Sequence, residues 1–557
     1  MAALLGRQVF MDALVAHGVT RIFGNPGTTE SPLLDSLADY PSIDYTVALH
    51  EGVALGAASF YATAAKTTGV VNLHVAPGLG NAIGMLYCAL KSGTPMIVTA
   101  GQQDTRMRLN EPVLGHELTQ MAAPVTKWSV QAERADELAD IMRRAFKIAH
   151  EEPAGPVFVA LPIDVLEQET ANGAHTAGHI VRMNSASPDG IDAALKLLAS
   201  ASSPAIIASD DVAKADAFAP LVHISEQLGA PVWYETLRHR IAFPTSHPNA
   251  KAQLPVDAQG VRKMLGRTDV VLLLGGPFFE DVWFAEGSPF PEHCKVVHIE
   301  SSHVRVGQKF PVELGLVGDL ALTLSALAGG LDGSMSLAER AAADNRNLAL
   351  REAKDASNAK YTDRLDRARS RSPMAVSVAM HALAKALPDD VVVVDESITA
   401  SYDVAENFSF DEPDSYFSGR GGGIGQGLPG ALGAQLGLPN KRVVCISGDG
   451  SAMYSIQSLW TAARYNLPIV FVILANAEYR ILKHNLDFYR QRFETGTNRP
   501  YVHMDLGIPK LGFVEMASSM GVDGALATDE ESLNNAVQEA LSAERPYLIE
   551  VAIEGKR

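Results

Sequence analysis

Short, almost uninterrupted apolar runs alternate along this chain with longer segments in which apolar residues recur every three or four positions. That is the pattern of buried parallel strands joined by amphipathic helices. In the first third a helix over Gly6 to His17 leads to strands at Arg21–Phe23, Ile43–Ala48, Val70–Val75 and Pro95–Ala100. Each strand runs into a polar or glycine-rich stretch: Gly24-Asn25-Pro26-Gly27-Thr28-Thr29-Glu30, then His50-Glu51 opening a helix, then Ala76-Pro77-Gly78-Leu79-Gly80-Asn81 with a helix following through Ala89, then Gly101-Gln102-Gln103. The middle repeats the pattern with strands at Ala205–Ala208, Val232–Tyr234, Val270–Gly275 and Val296–Ile299, and the last third with strands at Val391–Val394, Val443–Ser447 and Ile469–Ala475. The fold class that follows is α/β, with three doubly wound parallel-sheet domains. Their predicted extents are 1–183, 188–332 and 371–557, with residues 333–370, rich in Ala, Arg, Asp and Glu, as a charged linker with helical stretches.

The sharpest unit is Arg442 to Leu482, a strand, a Gly448-Asp449-Gly450 turn, a helix from about Tyr454 to Arg464, and a second strand ending at Asn476. A right-handed crossover sets the two strands parallel, so Asp449 and Asn476 leave the same carboxyl edge, where ligands of open α/β sheets bind. Asp449 offers an anionic oxygen, Asn476 an amide oxygen and Glu478 its main-chain carbonyl. Three such oxygens are too few to cage a metal, whereas Mg²⁺ (or Ca²⁺) can complete its shell with phosphates and water, so the set implies a phosphorylated ligand. Gly448 and Gly450 allow a backbone to approach a diphosphate closely. Taken alone, Gly-Asp-Gly is a tight turn; the Asn closing the next strand favours the metal site.

With these residues the chain resembles the thiamine diphosphate (ThDP) enzymes of the 2-oxo acid decarboxylase and acetohydroxyacid synthase superfamily. The resemblance implies three domains (pyrimidine-binding, central and diphosphate-binding) and a homodimer or homotetramer with active sites between subunits. It implies that Glu51 hydrogen-bonds the pyrimidine ring and so activates the cofactor. Taken alone, Glu51 reads as a helix N-terminal charge complementing the dipole. Thr399, in Asp395-Glu396-Ser397-Ile398-Thr399, matches a diphosphate-contacting loop. Gly423 gives a close backbone approach, Ile424 matches the bulky residue that props the cofactor in a bent conformation, and Ser451 could donate to the diphosphate. The central domain resembles one that binds FAD in some members and nothing in others, and FAD is not expected here.

The runs FGNPGTTESP, VNLHVAPGLGNAIG, IVTAGQQ and VTKWS bring the resemblance closer to benzoylformate decarboxylases. That likeness implies an acid/base role for His74, which alone would read as a core histidine. It sets Thr28, after Asn25-Pro26-Gly27, where a serine contacts the substrate carboxylate; Thr keeps the hydroxyl and adds a methyl. It turns Asn81 toward the pyrimidine, and makes the helix from Tyr479, with the bulky Ile481, a wall of the pocket. One departure stands out. Those enzymes carry a second catalytic histidine shortly after a turn matched here by Gly275-Gly276-Pro277-Phe278-Phe279-Glu280-Asp281-Val282-Trp283, and none is present.

A dinucleotide reading of Gly425-Gln426-Gly427-Leu428-Pro429-Gly430 lacks the ribose-binding acid after a following strand and meets Pro429 at the helix start. A net charge of −18 argues against nucleic-acid or anionic-membrane partners. Cys88, Cys294 and Cys445 have no metal spacing and read as buried free thiols. The N-terminus lacks a signal-peptide pattern and no stretch reaches the length of a membrane span, so a soluble, cytoplasmic protein is expected. Together these readings predict non-oxidative decarboxylation of a 2-oxo acid to an aldehyde and CO₂, with carboligase capacity toward aldehydes. The alternative is a carboligase resembling acetohydroxyacid synthase or 2-hydroxyacyl-CoA lyase, which His50 beside Glu51 favours.

Overall fold

A computed structural model of the chain describes residues 3–178, 184–496 and 499–555. It contains all the predicted strands within three six-stranded sheets. The first holds β1 (Arg21–Gly24), β2 (Asp44–Val47), β3 (Gly69–Leu73), β4 (Met96–Gln102), β5 (Trp128–Gln131) and β6 (Pro156–Pro162), in the order β2-β1-β3-β4-β6-β5. All its neighbours pair in parallel. The second, order β9-β8-β7-β10-β11-β12, is built from β7 (Pro204–Ala208), β8 (Val232–Tyr234), β9 (Ala250–Gln253), β10 (Val270–Leu274), β11 (Lys295–Glu300) and β12 (Leu314–Val317), again in parallel. The third has β13 (Val392–Glu396), β14 (Tyr416–Ser418), β15 (Val443–Gly448), β16 (Val470–Ala475), β17 (Asp523–Ala527) and β18 (Tyr547–Ala552), in the order β14-β13-β15-β16-β18-β17.

The chain divides into two compact units, one of Met1–His179, Arg369–Asn407 and Ser418–Arg557, the other of Ile180–Ala368 with Phe408–Phe417. The boundary expected at 183 lies outside the described residues. In the first unit, α1 (Gly6–Ala16) and the helix Leu138–His150 lay Phe10, Leu14, Met142 and Phe146 into one core. α2 spans Glu51–Ala64 and α3 spans Val75–Ser92. The stretch Ala76 to Asn81, expected as a loop, is therefore the start of α3. Pro77 falls in the first turn, where its missing N–H is no loss. In the second unit the stretch expected as a linker forms one helix, α4 (Leu337–Ala368), of 32 residues. Arg346 donates to the Leu228 carbonyl at 3.1 Å and Lys354 to those of Thr245 and His247 at 2.7 Å, which ties the helix to that unit.

Back in the first unit, α5 (Gly427–Gly437) crosses α2 with backbones nearly touching. A Cβ on Gly433 would lie 2.1 Å from the Ala57 carbonyl oxygen, so only glycine fits. Tyr465 adds a polar tie, accepting from the Val47 N–H at 2.8 Å and donating to the Tyr45 carbonyl at 3.1 Å. The helix expected over Tyr454–Arg464 forms in two pieces, Asp449–Ala452 and Ser458–Arg464. Burial pushes Cys88 up to about 11 and Cys445 well above its usual value, which makes both inert. Among the described residues no single helix is long and apolar enough to cross a membrane.

Candidate active site

Strands β1 to β4 deliver Asn25, Glu51, His74 and Gly101 to one edge of the first sheet. His50 is extended and caps α2, its Nδ1 accepting from the Gly52 N–H at 3.0 Å. Glu51 therefore opens the helix at the positive end of its dipole. It is only 6% exposed, and its carboxylate accepts from the side-chain amides of Asn81 at 3.0 Å and Asn25 at 3.4 Å. A buried carboxylate without such donors would cost several kcal/mol at least, about 2–7 even for a neutral polar group.

His74 is the last residue before α3. Its Nδ1 lies 2.8 Å from Oε2 of Glu30, whose Oε1 accepts from the Gly101 N–H at 3.0 Å and the Thr29 hydroxyl at 2.7 Å. Gly27 lies flat against the imidazole, since a Cβ there would stand 2.0 Å from Nδ1. Val75 has φ +41°, a conformation that a β-branched residue rarely takes, and this turn swings the chain from strand into helix at His74. Thr28 begins the short 3₁₀ turn Thr28–Glu30 and is exposed, as is Pro26. Asn25 and Asn81 thus meet at the Glu51 carboxylate, and Gly78 lies against both Glu51 and His74.

The second cluster lies at the carboxyl edge of the third sheet. β15 and β16 pair in parallel with Gly448 opposite Leu474, so Asp449 and Asn476 emerge side by side. Asp449 accepts from the Gly450 N–H through Oδ1 and from the Ala477 N–H through Oδ2, both at 2.7 Å, and Asn476 accepts from the Glu478 N–H at 2.9 Å. Ala477, at φ +57°, makes the left-handed turn that brings these loops together. Burial pushes the Asp449 carboxyl above its ordinary value, and the Ala477 and Gly450 N–H groups pull the other way. The Glu478 carboxylate is paired with Arg480 at 3.3 Å and with Lys483, which leaves its main-chain carbonyl as the oxygen it could offer a ligand. Tyr479 caps α6 (Arg480–Arg492), and Ile481 is exposed in the first turn.

Gly448 has φ −72°, and a Cβ there would meet nothing of the chain nearer than the Ser451 hydroxyl at 4.0 Å. Neither strain nor packing demands glycine, so the space suits a group from outside the chain. Ser451 is buried in the turn that follows. Thr399 sits in the 3₁₀ turn Ile398–Ala400 that follows β13, the strand paired with β15, with Ile398 at φ +54°. Glu396 ends β13 and accepts from the N–H groups of Gly425 (2.7 Å), Gln426 (2.9 Å) and Gly427 (2.8 Å). Gln426 in turn donates to the Gly423 carbonyl at 2.7 Å, so the loop bearing Gly423 and Ile424 is fixed from both ends. Burial pushes Glu396 up to about 7 in spite of its three donors.

Residues 5–123 match the family described as "Thiamine pyrophosphate enzyme, N-terminal TPP binding domain", residues 191–327 its central domain and residues 399–551 its C-terminal TPP binding domain. The chain belongs to the thiamine pyrophosphate enzymes. Benzoylformate decarboxylase of Pseudomonas aeruginosa is 33% identical over 544 residues, with 97% of each chain covered. The acetolactate synthase large subunit of Parasynechococcus marenigrum is 27% identical over 574 residues, covering 98% of this chain and 87% of that one. The structure of a thiamine diphosphate-dependent 4-hydroxybenzoylformate decarboxylase from Rhodococcus jostii RHA1 superposes with a TM-score of 0.86 at 29% identity, covering 99% of this chain and 100% of that one.

For a thiamine pyrophosphate enzyme the donor set fits the cofactor. Among the described residues no three His, Cys, Asp or Glu side chains gather as a metal cage. A cation at Asp449 and Asn476 would therefore share its shell with phosphate oxygens, and it would favour the buried carboxylate that burial alone disfavours. Two residues with a clear structural part escaped the sequence reading. Glu396 ends the strand that leads into the turn bearing Thr399, and Glu30 closes the NPGTTE run. Both are acids beside apolar segments, which was the available signal. In the central unit, Phe278 is buried and the Phe279 N–H donates to Glu235 at 3.2 Å, so the turn without a histidine is filled by aromatic packing.

Proposed function

We propose that the chain decarboxylates a 2-oxo acid of the benzoylformate type to an aldehyde and CO₂, using thiamine diphosphate with Mg²⁺, and that it can join the bound product to a second aldehyde. The observation that carries this reading is the imidazole of His74 beside the Glu51 cluster. Its side chain is 23% exposed and its Nε2 has no partner among the described residues, so it can reach a substrate. Bound thiamine diphosphate supplies a nucleophilic carbon and an electron sink for loss of CO₂. Glu51 would hold the pyrimidine side, with Asn81 orienting its carboxylate. Asp449, Asn476 and the Glu478 carbonyl would hold the cation, Gly448, Gly450, Ser451, Thr399 and Gly423 would receive the diphosphate, and Ile424 would pack against the cofactor. Thr28 offers a hydroxyl to the substrate carboxylate, and Tyr479 and Ile481 supply an apolar wall that disfavours that charge and so favours its departure as CO₂. His74, after its partly exposed Nε2 has taken up a proton from solvent, would deliver that proton to the carbon that released CO₂.

The same proposal sets the site between two subunits of a homodimer or homotetramer. Exposed apolar side chains stand beside both clusters: Leu49 and Val113 near the first, Tyr454 and Leu482 near the second. His50 is accounted for as a helix cap, so it lends no weight to the carboligase reading. The deciding experiment measures CO₂ release from benzoylformate, phenylpyruvate, pyruvate, branched 2-oxo acids and oxalyl-CoA, with and without an acceptor aldehyde. Turnover of benzoylformate to benzaldehyde is expected; no CO₂ from any of these with the cofactor and Mg²⁺ present overturns the reading.

A further inference from the structure

We propose that Glu30 is a positioning residue that fixes which nitrogen of His74 carries the proton and so aims a bare Nε2 at the substrate. The inference rests on the reading of His74 as the acid/base group. Glu30 is fully buried, and its carboxylate accepts from the Gly101 N–H and the Thr29 hydroxyl on Oε1 and meets His74 Nδ1 on Oε2. A carboxylate only accepts, so the neutral imidazole must carry its proton on Nδ1. The lone pair is then on Nε2, the nitrogen with no partner among the described residues. When Nε2 takes up a proton, the imidazolium lies 2.8 Å from a buried anion, and Gly27 and Val75 hold the ring in place against it. This is the logic by which a buried acid orients a catalytic histidine.

The geometry makes Glu30→Gln decisive. A glutamine has one acceptor and one donor end. The Gly101 N–H is main chain and cannot turn away, so it claims the amide oxygen at the Oε1 position. The amide N–H₂ is thereby forced against His74 Nδ1, which can meet it only as an acceptor. The proton must move to Nε2, and because Nδ1 then faces a donor, the imidazolium that delivers a proton to the substrate can no longer form.

The test is solid-state NMR on the full-length resting protein labelled with ring-¹⁵N histidine, with His74 assigned by difference from His74→Ala. Wild type and Glu30→Asp are expected to show a protonated Nδ1 and a bare Nε2, and Glu30→Gln the reverse. In turnover Glu30→Gln should lose on the order of 10²–10⁴-fold in kcat with KM far less affected, and Glu30→Asp should recover most of the loss. A wild-type His74 protonated on Nε2 overturns the proposal even if the Gln variant does not fold. So does a Glu30→Gln protein that keeps the Nδ1 proton, or equal losses in the Gln and Asp variants. The spectra need no substrate, so the expected tautomers without decarboxylation would sink the proposed function and leave this inference standing.

Discussion

Glu51→Gln separates catalysis from stability more cleanly than any other change at this site. The substitution preserves shape and removes one charge. In the wild type both carboxylate oxygens accept from amides, Asn81 at 3.0 Å and Asn25 at 3.4 Å. The new N–H₂ must face one of them, and the longer Asn25 contact is the one that yields, by turning its own amide so that Oδ1 accepts. The bond to Asn81 persists in neutral form, a loss of about 1 kcal/mol. Removing the charge from the first turn of α2 costs about 0.3–1 kcal/mol more. Folding should therefore weaken by no more than about 2 kcal/mol, partly offset because a neutral side chain is easier to bury. If Glu51 activates the cofactor, the barrier rises much further, by about 3–5 kcal/mol for the 10²–10⁴-fold that a positioned acid/base group contributes. Denaturant unfolding, titration calorimetry with thiamine diphosphate and Mg²⁺, and CO₂ release would be measured on the same preparation. Near-native folding and cofactor affinity with activity down at least a hundredfold, on the order of the general acid/base contribution, is the expected triad. Activity within a few-fold of wild type would refute the argument, as would a folding defect large enough to explain the loss.

Mixing inactive Glu51→Gln and Asp449→Ala subunits under conditions that exchange them should restore about a quarter of wild-type activity, because half the dimers are hybrids and each hybrid keeps one intact site of two. No recovery would place Glu51 and Asp449 of one site in the same chain. Glu396 gives a pH prediction. Its folded value of about 7 lies above its ordinary 4.5, so its contribution to stability is fully present below 4.5 and is lost as the pH rises through 7. The stability difference between wild type and Glu396→Gln should therefore fall across that window and level off above it. A difference that grows with pH, followed by urea unfolding from pH 4.5 to 8, would show that the carboxyl is held ionised instead.

Strands buried on both faces are written as continuous apolar runs, and Val270–Leu274 was read from that signal, whereas the comparably buried Pro156–Pro162 and Tyr547–Ala552 were not singled out. The edge strand Ala250–Gln253 was not legible, since its sequence AKAQ carries no apolar signal. Pro77 and the glycines around it concealed the start of α3, because turn residues and helix-start residues overlap in type. The absence of an apolar stripe in α4 read as a linker, although polar side chains reaching main-chain carbonyls hold it in place. Asp449 and Asn476 could be placed from order alone, since two parallel strands with a short crossover leave their ends adjacent. Glu30 could not, because its partners, His74 and Gly101, come from strands remote in sequence and only the sheet order makes them neighbours.

Val75, Ile398 and Ala477 all adopt the left-handed backbone at a loop that carries a candidate site residue, and two of them are β-branched. Each such residue holds about 1–3 kcal/mol of conformational cost. A library of variants sorted by heat resistance would accordingly return glycine at 398, whereas at 75 the loss of a fully buried valine side chain offsets the relief. One sorted by turnover should keep the branched side chains, because glycine would let the neighbouring peptide planes swing and carry the imidazole or the hydroxyl out of line.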